Sequence, residues 1–104
     1  MLPLPEKFLD FKAKYPEVAS AYEALGSSVH NSGTIDEKNR ALIKLGIAVG
    51  CQSEGAVHSH VRKALDLNIS KDEIRQAILL SAPTIGFPFM MAALTWAEDF
   101  LNKE

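Results

Sequence analysis

Cys51, Glu54 and His58 put a thiol, a carboxylate and an imidazole within one short stretch of chain. Their offsets are three, four and seven residues, so a continuous helix would line all three along one face. A thiol, an acid and a base on one stripe can move a proton or activate a nucleophile. No other part of the sequence combines so many reactive groups in so little space. The same residues also have ordinary structural readings. A lone cysteine often serves as inert core, and Glu54 with His58 is a common i,i+4 pair.

Other chemistry is thinner. Cys51, Glu54 and His58 could supply three metal ligands, but zinc sites usually use tighter pairs, so no metal is expected. His58 and His60 are two apart and would point to different sides of a helix, which makes His60 a surface or interface residue. There is no glycine-rich phosphate loop, no Gly-x-Ser-x-Gly elbow and no Cys-x-x-Cys pair, so the sequence implies no cofactor.

The elements that must position these groups read as helices throughout. A first helix fits Pro5 to Lys14, with Phe8, Leu9 and Phe11 inward, and Pro16 suits the first turn of a second carrying Val18, Ala21, Tyr22 and Leu25. His30 to Gly33 forms a loop. Thr34 or Asp36 can cap a third helix that runs to Gly50, with Leu42, Ile43, Leu45, Ile47 and Val49 as its apolar body. A fourth helix begins near Gln52 or Ser53 and ends near Leu67, which puts Cys51 at or just before its N-terminus, where the helix dipole favours a thiolate. Asn68 can adopt the left-handed terminating conformation. Ser70 and Glu73 form a capping-box pattern opening a helix that ends at Gly86 or Phe87. Pro88 then opens the last helix. Met90, Met91, Phe87, Phe89 and Trp96 read as core or interface, or as the wall of an apolar pocket.

The 104 residues suit one domain (1–104), and a net charge of −2 without a basic stripe argues against nucleic acid or an anionic membrane as partner. One cysteine cannot form an internal disulfide, and Met1 to Lys7 lacks the pattern of a signal peptide. A cytoplasmic location is the expectation. From Gln76 to Ala97 no residue is charged, about the length of a membrane span. Pro83 and Pro88 split that stretch into two helices buried in a core or subunit interface, and a homo-oligomer would hide the apolar surface it leaves.

The run Glu37 to Cys51, followed by His58-Ser59-His60-Val61-Arg62-Lys63-Ala64-Leu65, resembles the carboxymuconolactone decarboxylase family, which includes the AhpD-like alkylhydroperoxidases. Asn68 to Arg75 is similar to the turn and helix start that follow. The similarity covers about Asp36 to Phe100 and includes an Ala-Leu-x-x-x-Ile-Ser-x-x-Glu-Ile rhythm. It implies an all-helical fold of five or six helices, assembly into trimers or hexamers, and an active site near a helix N-terminus. In the redox branch the motif is Cys-x-x-Cys-x-x-x-His. Cys51 and His58 match its ends, and Glu54 stands where the second cysteine would be, which removes the internal dithiol. A relay glutamate on the preceding helix has Ala41 as its nearest match, with Glu37 one turn earlier.

Three functions follow, with Cys51, Glu54 and His58 as the expected site; the first is the expectation and the other two are its alternatives. In a one-cysteine peroxidase, Cys51 attacks a peroxide and an external thiol reductant resolves the sulfenic acid. In a lyase or isomerase on a small carboxylated, lactone-like substrate, His58 is the acid/base and Glu54 its partner. The third is a non-catalytic oligomeric scaffold or ligand-binding protein.

Overall fold

Pro16 ends one helix and opens the next, because a residue before proline is pushed out of the helical region. Tyr15 accordingly sits at φ −127°, ψ 64° between α1 (Glu6–Lys14) and α2 (Pro16–His30). The computed structural model describes residues 3–103; Met1 and Leu2, the start of the segment read above for a leader, lie outside the described residues, as does Glu104. Among the described residues there are seven helical segments and no strand. The chain divides into two compact units, residues 1–35 and 36–104.

The first unit is the α1–α2 pair. Lys12 and Glu23 form an ion pair at 3.2 Å, and the Phe11 and Tyr15 rings lie 5.4 Å apart. Ala19 is buried, whereas Phe8, Leu9, Phe11, Val18, Tyr22 and Leu25 are exposed. That corrects the inward placement expected from periodicity. Two helices alone share only a narrow stripe, and the small side chain of Ala19 occupies it.

In the second unit, side-chain caps set the helix starts. Asp36 accepts a hydrogen bond from the Asn39 amide (3.1 Å) and opens α3 (Glu37–Gly50). Ser53 accepts one from Ala56 (3.3 Å) and opens α4 (Glu54–Asp66). Ser70 accepts one from Glu73 (3.1 Å) and opens α5 (Lys71–Leu79). Asn68, at φ 62°, terminates α4 as expected. The helix opened by Ser70 stops earlier than Gly86. Pro83 cannot tolerate the carbonyl of Leu79 in a continuing helix, so α5 ends at Leu79 and a single further turn, α6 (Ala82–Ile85), follows. Gly86, at φ 105°, turns the chain into α7 (Phe87–Leu101) with Pro88 in its first turn.

α4 packs against α3 and α7, and α5 bridges α3 and α7. Leu45, Val49, Val57, Val61, Ile74, Ile78 and Leu101 are fully buried between them. Ile43 and Ile47, expected in the apolar body of α3, are exposed instead. Arg75 on α5 clamps Glu98 on α7 through two hydrogen bonds of 2.8 and 2.9 Å. The guanidinium holds the Glu98 carboxyl below the usual carboxylate range. No helix of the described residues is long and apolar enough to cross a membrane.

Candidate functional site

The expected single stripe of Cys51, Glu54 and His58 is interrupted by Gln52. Its φ of 52° is left-handed, so α3 ends and the chain turns before α4 begins. A glutamine there is strained by roughly 1–2 kcal/mol. Its side-chain amide offsets this by donating to the Val49 carbonyl at 2.9 Å and the Phe89 carbonyl at 3.0 Å. Cys51 therefore caps the C-terminus of α3, the dipole end that disfavours negative charge, rather than opening α4.

Glu54 and His58 remain together, because both lie within α4 and are one turn apart. The fold adds a third group. Asp99 on α7 comes to 2.9 Å from His58 through Oδ2 and Nε2. A carboxylate can only accept, so Nε2 carries hydrogen and Nδ1 is the nitrogen left to exchange a proton. The Phe100 ring meets the imidazole edge-on at 5.0 Å and 87°. A hydrogen bond and an aromatic contact thus fix the ring's position, while the His58 side chain keeps 24% exposure. Glu54, His58 and Asp99 each offer one ligand atom within 4.8 Å of the others, so among the described residues this trio could hold a divalent cation. Cys51 is outside this trio.

Cys51 is exposed in a separate hollow of about 190 Å³, lined also by Lys44, Ile47, Ala48, Ala56 and His60. His58 and His60 do face different ways, and His60 shares the side of the thiol. Burial pushes the His60 imidazole down to about 4, with Lys63 and Lys44 adding to the shift. The unfolded chain takes up this proton near 6.5 and the folded chain only near 4. Stability contributed by neutral His60 is thus present above 6.5 and is lost as pH falls towards 4. After allowance for solvent screening of this half-buried ring, the loss is about 1–2 kcal/mol. Urea midpoints followed across that window should fall less steeply in His60→Gln than in the parent; parallel curves would contradict this account.

A groove of about 550 Å³ lies elsewhere. Leu42, Ile43, Ala77 and Leu80 line it with Glu73 and Gln76, and neither His58 nor Cys51 reaches it. It is mainly apolar and lacks an acid–base pair.

Comparison with known proteins bears on these groups. The family model described as the carboxymuconolactone decarboxylase family matches residues 16–99. The chain belongs to this family. An uncharacterised protein of Haemophilus influenzae is 32% identical over 59 residues, which is 57% of this chain and 52% of the relative. Nitrosuccinic acid decarboxylase of Metarhizium robertsii is 29% identical over 68 residues, 65% of this chain and 48% of the relative. The chain spans about half the length of the curated relatives it matches. As a carboxymuconolactone decarboxylase family member it carries His58 beside two carboxylates and its thiol in a separate hollow. Asp99 was missed by sequence reasoning because it stands 41 residues from His58; no local spacing could pair them.

Proposed function

We propose that this protein is a lyase that releases CO2 from a small carboxylic acid bearing an electron-withdrawing group, with His58 as the proton donor. The observation that carries the reading is the 2.9 Å contact between His58 and Asp99, with Glu54 one turn away on the same helix. The bond between the carboxylate and its carbon breaks, CO2 leaves, and the electron pair stays on that carbon. Protonated His58 then gives its proton to the carbon, and Asp99 holds the ring in place. The negative charges of Glu54 and Asp99 repel the carboxylate that is lost. Family membership and a decarboxylase relative support the reading. The test is CO2 release from nitrosuccinate, the acid in that relative's name, and from other small carboxylic acids with an electron-withdrawing neighbour. Cys51→Ala should retain release within about threefold; loss of activity in that variant would count against it.

A second reading is favoured by the exposed thiol of Cys51 beside Lys44 and His60. As a one-cysteine peroxidase, Cys51 thiolate attacks the O–O bond, becomes a sulfenic acid and releases water or an alcohol, and an external thiol reduces it back. The same pair of proteins decides between the two: peroxide consumption that disappears in Cys51→Ala, without CO2 release in either protein, would select the peroxidase.

A further inference from the structure

Arg62 is the one charged side chain buried among the described residues, at 6% exposure. It lies one turn beyond His58 on α4, and residues four apart on a helix are neighbours on one face, about 5–6 Å between Cβ atoms. Among the described residues no hydrogen bond or ion pair satisfies it, and no buried side-chain nitrogen lacks a partner, so its guanidinium nitrogens reach solvent. Its stem is therefore packed while its donors remain available. Burial, and then the charges of Lys44 and Arg62, disfavour a proton on nearby Lys63. A packed stem restricts where the charged head can go, so the guanidinium stays near its own turn of α4. Its proximity to His58 gives it a role. Glu54 and Asp99 repel any carboxylic acid approaching His58, and a nearby cation must offset that repulsion for an acid to bind.

We propose that Arg62 is the anion-binding residue of the His58 site, holding a substrate carboxylate that the reaction does not remove. This rests on the reading of His58 as the proton donor. It makes the planar, five-donor guanidinium the group that selects an acid with a second carboxylate, gripped in a forked pair of hydrogen bonds. The carboxylate to be lost then lies towards Glu54 and Asp99, where charge repulsion favours its departure.

The probe is succinate, which has two carboxylates and no activating group. In an NMR titration of the full chain, succinate should shift the Arg62 Nε–Hε resonance. Arg62→Gln should weaken succinate binding about tenfold or more, and Arg62→Lys by less, since a point charge replaces a fork. Ligand-free Arg62→Met, which keeps the packed stem, should melt at the same temperature as the parent or higher, because the burial of the stem is retained and no ion pair is lost. Unchanged succinate binding in Arg62→Gln would overturn the proposal. So would a lower melting temperature in Arg62→Met with succinate binding intact, which would make Arg62 a structural ion-pair partner. Binding is read without turnover. A His58→Ala variant that still releases CO2 would remove the catalytic reading and leave the result at Arg62 standing.

Discussion

Replacing His58 with alanine is expected to lower CO2 release by about 100- to 10,000-fold, the usual contribution of a positioned acid–base group. Without the imidazole, the carbon left by CO2 must take its proton from water, and Asp99 loses the group it orients. The fold should survive. His58 is partly exposed, and its side chain is held by one hydrogen bond to Asp99 and one aromatic edge. The variant's helical circular dichroism should therefore match the parent's while turnover collapses. Asp99→Asn should show a milder loss, since the amide keeps the shape of the contact but not its charge. Release rates from His58→Ala within a few fold of the parent would refute the assignment, whatever Cys51 does.

The largest effect on stability is expected from Leu45→Ala. Leu45 is fully buried on α3, within the cluster built from α3, α4, α5 and α7. Truncation removes three carbon atoms from the point where these helices meet, and the surroundings can relax only in part. Leucine-to-alanine changes of this kind cost about 3–5 kcal/mol, against a total of about 5–15 kcal/mol for a typical domain. A unit of this size falls towards the low end, so the variant should lose a large share of its folded population. Urea unfolding should show a lower midpoint at an unchanged slope. A shift worth less than about 1 kcal/mol would show that the site collapses around the gap or that the core is less tightly packed than the burial of Leu45 requires.

Much of the local architecture was legible in the sequence because its causes are local. Asp36, Ser53 and Ser70 cap helices through side chains that reach amides three residues on. Pro16 and Pro88 open helices because their missing N–H groups would be unpaired there in any case. Asn68 ends α4 in the left-handed region that its short polar side chain tolerates. Burial was less legible. Ile43 and Ile47 look equivalent to Leu45 and Val49 by residue type, and only the neighbouring helices decide which pair is covered.

The sequence by itself determined that this chain is helical, where most of its helices begin, that Glu54 and His58 share a face, and that no second thiol stands at the expected spacing. Each of these depends on contacts within one or two turns, or on composition alone. The tertiary structure decided the rest. It bends the chain at Gln52, which takes Cys51 off the stripe and gives it Lys44 and His60 as neighbours. It also carries Asp99 across from α7 to His58, and it buries Arg62 one turn away. The physical reason is that a helical period fixes which residues share a face, but a single left-handed residue resets the phase. Only the packing of one helix on another can bring together groups that lie far apart in the chain.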